Sequence, residues 1–182
     1  MKTTGVILAG GLARRMNQQD KGLVHYQQRP LISYAIAAMT PVVDELLINA
    51  NRHIEQYQSF DLPVISDLTS TFDGPLAGIL SAMNYTQADI LLVMPCDTPL
   101  ITSDILKHLL HSKQQSNADI AVACDGEQWH CVFLALNTHL KHDLQQYLTS
   151  GKRKIQTWLK QQKLITVDFS NHSNLFTNIN TL

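Results

Sequence analysis

The sequence predicts an α/β fold, a three-layer Rossmann-like sandwich with a mostly parallel central sheet. Short apolar runs alternate with segments of helical periodicity along the whole chain, which is typical of strands that alternate with crossover helices. One run, Ile90–Met94, is apolar at every position, as expected of a central strand that is covered on both faces. No repeat, low-complexity tract or linker divides the 182 residues. We therefore expect a single domain over residues 1–182.

The first half of the chain begins with a predicted strand over Thr4–Leu8 and a short extended piece over Leu23–Tyr26. A helix is predicted after Pro30, because apolar residues recur there at helical spacing, and Pro41 should end it. Strands follow at Glu45–Ala50 and Pro63–Ser66. Gly74-Pro75-Leu76 opens the next helix, which should reach about Asn84, since proline in a first helical turn costs no hydrogen bond.

The second half repeats this alternation after the Ile90–Met94 strand. Thr102 or Ser103 should cap a helix that reaches about His111. Two strands, joined by the turn residues Asp125-Gly126, are predicted next, and two helices and a last strand follow them. Their predicted bounds are Ile120–Cys124, Cys131–Leu136, Leu140–Leu148, Lys152–Leu159 and Leu164–Phe169. The segment Ser170–Leu182 is polar and weakly patterned.

Composition and charge exclude several classes of protein. The net charge of −1 gives no general basic field for nucleic acid, and no apolar stretch has the length needed to cross a membrane. The three cysteines form no Cys-x-x-Cys pair, so neither a zinc site nor a disulfide framework is indicated. We therefore expect a protein of the reducing cytoplasm, with no nucleic-acid or membrane partner. A monomer is a separate expectation, which composition and charge do not decide.

The most informative segment is Leu8–Met16, in which an apolar strand gives way to paired glycines and then to arginines, with Lys21 shortly after. Glycines let backbone N–H groups approach an anion closely, and the cations add charge at the same place. The segment is neither a P-loop, which needs Gly-Lys-Ser/Thr, nor a dinucleotide fingerprint, which needs three spaced glycines. The pattern indicates a site for a nucleoside triphosphate, although a plain turn with exposed arginines is the alternative.

A second anchor, Pro95-Cys96-Asp97-Thr98-Pro99, follows the Ile90–Met94 strand. Ligands of open α/β sheets bind beyond the carboxyl ends of the strands, where Asp97 is expected. A rigid carboxylate that faces a triphosphate suits Mg²⁺, which takes one or two carboxylates together with phosphate oxygens and waters. Taken alone, Asp97 could equally cap the turn that follows it.

These motifs resemble those of a known family. Leu-Ala-Gly-Gly, then Arg15-Met16, then Lys21 is similar to the signature loop of the nucleotidyltransferase superfamily. Pro-Cys-Asp-Thr-Pro resembles the strand-end motif of the molybdenum cofactor guanylyltransferases, the MobA family. Four more segments agree in order across nearly the whole chain: Asn49–Arg52, Asp67, Gly74–Gly78 and Asn178–Thr181.

The resemblance implies a fold of the nucleotide-diphospho-sugar transferase type and one nucleotidyltransferase domain over residues 1–182. Its N-terminal part would bind the nucleotide and its C-terminal part the acceptor. The implied reaction transfers GMP from GTP to the terminal phosphate of molybdopterin and releases pyrophosphate, with Mg²⁺ as cofactor. Proteins that deliver molybdopterin, or that are specific to molybdoenzymes, are further implied partners.

The same resemblance implies roles for individual residues. Asp97 would bind Mg²⁺, and Asp97, Lys21 and Arg15 would be catalytic. The implied nucleotide-binding residues are Leu8, Ala9, Gly10, Gly11, Lys21, Asn49, Asp67 and Asp97. Asn49 and Asp67 could contact either the guanine edge or a ribose hydroxyl. The implied acceptor-binding residues are Lys152, Arg153, Asn178 and Asn180, although the basic pair could also be a solvated charge run and the tail could be disordered.

Two other functions fit part of the pattern. A nucleotidyltransferase that acts on another phosphorylated acceptor, such as a sugar phosphate, would carry the same glycine loop and aspartate. A non-catalytic nucleotide carrier could keep the fold, although the presence of both Lys21 and Asp97 argues against it.

Overall fold

The computed structural model describes residues 1–11, 19–68 and 74–179. Nine strands and six α-helices are assigned in these ranges. The strands are β1 (Thr3–Leu8), β2 (His25–Tyr26), β3 (Arg29–Pro30), β4 (Glu45–Asn49), β5 (Val64–Ile65), β6 (Ile90–Pro95), β7 (Ile120–Cys124), β8 (Trp129–Asn137) and β9 (Leu164–Asp168). The helices are α1 (Leu31–Met39), α2 (Ile54–Gln58), α3 (Pro75–Tyr85), α4 (Ser103–Gln115), α5 (Lys141–Thr149) and α6 (Ile155–Leu159).

Seven strands form one sheet in the order β5-β4-β1-β6-β8-β7-β9, and β2 pairs with β3 in a separate hairpin. Within the large sheet β8 alone is antiparallel to its neighbours, β6 and β7. The other pairs, β5 with β4, β4 with β1, β1 with β6 and β7 with β9, are parallel. The carboxyl ends of six strands therefore share one edge of the sheet.

Two hydrophobic clusters cover the two faces of this sheet. Alternate residues of β6 enter different clusters, since Leu92 belongs to the first and Val93 to the second, as the two-residue period of a strand requires. Helices α1 and α4 contribute to the first cluster, and α3, α5 and α6 contribute to the second. The result is the three-layer sandwich that the sequence predicts.

Most predicted elements lie where the sequence places them, and the differences concern short or terminal segments. Helix α4 continues to Gln115 instead of ending near His111, because the residues that follow are good helix formers and Lys113 is buried. Helix α6 begins only at Ile155, since Gly151 has a left-handed φ of 89° and Lys154 is extended. Four helical segments were not predicted: α2, and three 3₁₀ helices over Lys21–Leu23, Thr138–Leu140 and Ser170–Phe176.

No helix among the described residues combines the length and apolar character that spanning a membrane requires.

Candidate active site

Three neighbouring strands bring the site together at one edge of the sheet. Leu8, near the end of β1, lies opposite Asn49 of β4 on one side and Pro95 of β6 on the other. The backbone continues this pairing for one more residue, since Ala9 N donates to Asn49 O at 2.8 Å and Cys96 N donates to Leu8 O at 3.2 Å. The glycine loop and the Asp97 loop therefore leave the sheet side by side, as the sequence predicts.

A cavity of about 180 Å³ lies between these two loops. Its walls are Leu8, Ala9, Gly11, Asp20, Lys21, Pro95, Cys96 and Asp97. Asp97 is only 7% exposed, and its Oδ2 lies 3.2 Å from the Nζ of Lys21. The cavity thus combines a cation, a carboxylate and glycine-loop backbone, which together suit a phosphate chain and a metal ion.

A larger cavity of about 390 Å³ adjoins the first and shares Leu8, Gly11 and Pro95 with it. The remaining walls are Gly10, Asn49, Asp67, Gly74, Pro75 and Val132. Leucine, valine and proline side chains supply apolar surface, while Asn49 and Asp67 supply hydrogen-bonding groups. This combination of apolar walls with a few fixed polar groups is typical of small-molecule sites.

Asn49, Asn51 and Asp67 form one hydrogen-bond network beside the larger cavity. Asn49 Nδ2 donates to Asp67 Oδ1 and Asn51 Nδ2 donates to Asp67 Oδ2, both at 3.0 Å. Asn51 also accepts from the Asp67 backbone N–H at 2.9 Å and donates to Gly10 O at 3.3 Å. The network fixes the Asp67 carboxylate and ties it to the glycine loop.

Gly78 of α3 packs against Asn49 of this network, and its replacement by alanine tests that packing. A Cβ at this position would lie 2.4 Å from Asn49 Oδ1 and 3.0 Å from Leu8 Cδ2. Alanine is favoured over glycine in a helix by about 1 kcal/mol, but overpacking costs about 1–3 kcal/mol. Because Asn49 is buried and hydrogen-bonded, we expect Gly78→Ala to lower the free energy of unfolding by about 1–2 kcal/mol and to weaken nucleotide binding about tenfold.

Chemical denaturation and nucleotide titration would test this expectation. The double variant Asn49→Ala/Gly78→Ala removes the atom that the new Cβ meets. It should regain stability relative to Gly78→Ala without regaining nucleotide affinity. A Gly78→Ala protein as stable as the parent and with unchanged affinity would contradict the steric argument.

Asp20 lies in the wall of the smaller cavity and is 5% exposed. The hydroxyl of Tyr57, itself fully buried, donates to Asp20 Oδ1. Burial raises the pKa of the Asp20 carboxyl, and the hydrogen bond from Tyr57 opposes that shift only in part. The pair lies under the short 3₁₀ helix Lys21–Leu23, where a Cβ at Gly22 would come within 2.6 Å of the Tyr57 hydroxyl. Asp20 and Tyr57 thus hold the turn that presents Lys21.

Cys96 stands next to Asp97 but is not suited to nucleophilic chemistry. Burial raises the pKa of its thiol well above the ordinary value, and the neighbouring Asp97 carboxylate adds to the shift. The thiolate is the reactive form of cysteine, so this side chain stays inert at neutral pH.

Asp97 is the carboxylate of the described chain best placed to hold a cation at this edge. No group of three His, Cys, Asp or Glu side chains is arranged to hold a metal in residues 1–11, 19–68 and 74–179. Catalytic zinc needs three protein ligands, whereas Mg²⁺ is held by one or two carboxylates together with phosphate oxygens and waters. Of the two buried carboxylates in the wall of the smaller cavity, Asp20 already accepts a hydrogen bond from Tyr57, so Asp97 is the one that fits Mg²⁺.

The predicted acceptor residues lie less close to the two cavities than the predicted nucleotide-binding residues do. Asn178 is exposed, but the next amide, Ile179 N, donates to Asp97 O at 2.9 Å, so the tail reaches the site. Arg153 donates to Leu148 O at 2.7 Å in the last turn of α5, a common position for a cation. Among the described residues, the walls of the two cavities include neither Lys152 nor Arg153. Both precede α6, which begins at Ile155 and not at Lys152 as the sequence predicts.

Two predicted site residues, Arg15 and Asn180, lie outside the described residues. Conversely, sequence reasoning assigned no role to Asn51, Gly78, Asp20 or Tyr57. Asn51 could have been found, because a two-residue period places it on the same side as Asn49. Nothing local to Tyr57 indicates its contact with Asp20, 37 positions away along the chain.

Comparison with known proteins gives a consistent result. The model of the MobA-like NTP transferase domain matches residues 5–166. The chain is 45% identical over 181 residues to a molybdenum cofactor guanylyltransferase of Shewanella sediminis, covering 100% of this chain and 92% of that protein. It is 46% identical over 176 residues to the Shewanella frigidimarina protein of the same name, covering 97% and 90%.

The fold is also found among solved structures. The molybdopterin-guanine dinucleotide biosynthesis protein A of Archaeoglobus fulgidus aligns with a TM-score of 0.80 at 21% identity, over 98% of this chain and 92% of that one. At this identity the likeness bears on the fold alone, which is the nucleotidyltransferase fold expected from the sequence.

Proposed function

Because the chain belongs to the MobA-like NTP transferase family, we propose that it transfers GMP from GTP to molybdopterin and releases pyrophosphate. One observation carries the proposal: Gly11, Lys21 and Asp97 converge on one cavity at the carboxyl ends of β1 and β6. The family relationship supplies the two substrates, and the geometry supplies a place for a nucleoside triphosphate.

The two cavities suggest how GTP is held. The phosphates occupy the smaller cavity, where the loop amides and Lys21 face them. The nucleoside occupies the larger one, where Asn49 and Asp67 meet apolar walls. Guanine has hydrogen-bond donors at N1 and N2, from which the Asp67 carboxylate can accept. The ribose hydroxyls could donate to the same carboxylate.

The reaction requires no covalent intermediate between the protein and its substrates. A phosphate oxygen of molybdopterin attacks the α-phosphorus of GTP, the bond between the α- and β-phosphates breaks, and pyrophosphate leaves. Catalysis then depends on bringing two anions together and stabilising the leaving charge. Lys21, together with Arg15, neutralises the triphosphate, and the carboxylate of Asp97 holds the metal. When bound there, Mg²⁺ would neutralise charge on the phosphate oxygens.

The acceptor side is assigned to the C-terminal part of the same domain, which spans residues 1–182. Asn178 and Asn180 can both donate and accept hydrogen bonds, as the edges of a pterin require. Lys152 and Arg153 are the cations proposed for its phosphate. Helix α5 follows the antiparallel strand β8, so the loop that carries both cations returns to the edge that holds the cavities. We expect a monomer that receives molybdopterin from a delivery protein.

A product assay tests the proposal. The purified protein is incubated with Mg²⁺, molybdopterin and one nucleotide at a time: GTP, CTP or dTTP. Pyrophosphate release and a guanine dinucleotide, detected by mass spectrometry and abolished by EDTA, are expected with GTP. Product with a sugar phosphate in place of molybdopterin would indicate the other acceptor class, and absence of pyrophosphate in every arm would exclude an enzyme of this type.

Replacing Asp67 should weaken GTP binding. Hydrogen bonds to a charged group contribute about 1.5–3 kcal/mol, so we expect Asp67→Ala to raise the Kd for GTP by about tenfold to a hundredfold. Asn49 and Asn51 also each lose one hydrogen-bond acceptor, which loosens the cavity wall. Isothermal titration would measure the change, with Glu55→Ala, an exposed carboxylate of α2, as control. Unchanged affinity in Asp67→Ala would remove this residue from the nucleotide site.

A further inference from the structure

An aromatic cluster lies between β8 and the C-terminal tail. The ring of Phe176 stacks on the imidazole of His130, with centroids 4.4 Å apart and planes at 14°. Phe133 meets Phe176 edge-on at 4.9 Å, and Phe169 lies 5.5 Å from it. Phe176 is 5% exposed and Leu175 is partly buried beside it, so the 3₁₀ helix Ser170–Phe176 docks on the sheet chiefly through the ring of Phe176. We call His130, Phe133, Phe169 and Phe176 the tail anchor.

The imidazole of His130 is itself held in place. Its Nε2 lies 2.9 Å from Asp125 Oδ2. The other carboxylate oxygen of Asp125 accepts from the backbone N–H groups of Glu127 and Gln128, both at 3.0 Å. These hydrogen bonds hold the pKa of the Asp125 carboxyl below its usual value, so it stays an ionised acceptor. The turn between β7 and β8 therefore orients the ring on which Phe176 stacks.

The tail anchor is linked to the active site in two ways. Three residues after Phe176, the amide of Ile179 donates to Asp97 O at 2.9 Å. Two residues after His130, Val132 forms part of the larger cavity wall. The pairing of β7 with β8 shifts register between Val122 and Ala123, and such irregularities redirect side chains near active sites. The same stretch of β8 thus holds the tail and lines the cavity.

We propose that His130 is a positioning residue, which through its stack on Phe176 holds residues 177–179 against the Asp97 loop and so sets the affinity for the acceptor. The inference rests on the proposed function for the identity of that acceptor. The tail is tied to the backbone carbonyl of Asp97, whereas the Asp97 carboxylate faces Lys21. Release of the tail should therefore weaken acceptor binding more than GTP binding.

Steady-state kinetics and amide hydrogen exchange on the full chain test the proposal. His130→Gln keeps a donor for Asp125 but removes the ring, and His130→Phe keeps a ring but removes the donor. Aromatic pairs contribute enough to change an equilibrium by about threefold to tenfold. In His130→Gln we expect the KM for molybdopterin to rise by about that factor, the KM for GTP to stay within about twofold, and the Ile179 amide to exchange faster. His130→Phe should recover most of both effects.

Phe176→Leu removes the aromatic ring that the tail contributes to the same stack. Because the two residues act through one stack, the double variant His130→Gln/Phe176→Leu should be little worse than either single variant. His111→Gln, on an exposed part of α4, is the matched control and should behave like the parent.

The anchor and the proposed function can fail separately. If the parent protein forms no guanine dinucleotide, the proposed function fails, and hydrogen exchange still decides whether His130 holds the tail. If the Ile179 amide exchanges at the parental rate in both His130→Gln and Phe176→Leu, the stack does not hold the tail, and the proposed anchor is wrong. Equal increases in the KM for GTP and for molybdopterin, or additive effects in the double variant, would overturn its role in acceptor binding.

Discussion

Replacing Asp97 by asparagine should lower kcat by about a thousandfold or more while the protein stays folded. Asparagine has nearly the same shape, so the packing of a side chain that is only 10% exposed is preserved. The substitution removes one negative charge at the place proposed for the phosphates and the metal ion. Among the described residues of the smaller cavity wall, the other carboxylate is that of Asp20, which is buried and already accepts a hydrogen bond from Tyr57.

The effect on stability should be small by comparison. The ion pair with Lys21 is partly exposed on the lysine side, and such pairs typically contribute about 1 kcal/mol or less. Circular dichroism and thermal melting should therefore be close to those of the parent, and Asp104→Asn on the surface of α4 serves as control. Activity above about a tenth of the parental value in Asp97→Asn, measured as pyrophosphate release at saturating Mg²⁺, would show that Asp97 is not the metal ligand.

The central part of the fold and of the site could be predicted because the signals are local. Ile90–Met94 is apolar throughout, and the glycine pair directly follows β1, so both loops could be assigned to the same sheet edge. That assignment needed only that β1 and β6 be parallel neighbours, which they are. Asp67, by contrast, was assigned to the nucleotide site through the family resemblance.

Other features depend on contacts that no local pattern records. Gln27 and Gln28 both adopt left-handed φ angles, 48° and 70°, in the β2–β3 turn, where asparagine and glycine would have given the signal. Strand β8 lies between β6 and β7 in the sheet, and the Asp125-Gly126 turn does not specify this order. His130 contacts Asp125 across the turn and Phe176 from the tail, and the residues next to it in the sequence indicate neither contact. In each case the partner is chosen by tertiary packing.

Lys21 should be the second most sensitive position of the described site. Its Nζ lies 3.2 Å from Asp97, and the residue lines the cavity proposed for the phosphates. Losing one cation that faces several phosphate charges costs about 3 kcal/mol. We therefore expect Lys21→Met to lower kcat/KM for GTP by about a hundredfold.

A set of variants would separate charge from packing in this effect. Lys21→Met retains an unbranched chain of similar length, so the turn held by Asp20 and Tyr57 should stay in place. Lys21→Arg keeps the charge but spreads it over a planar group, and it should recover only part of the loss. Lys107→Met, on an exposed position of α4, is the matched control. If Lys21→Met keeps kcat/KM within about threefold of the parent, the lysine does not contact the phosphates, and its interaction with Asp97 is only structural.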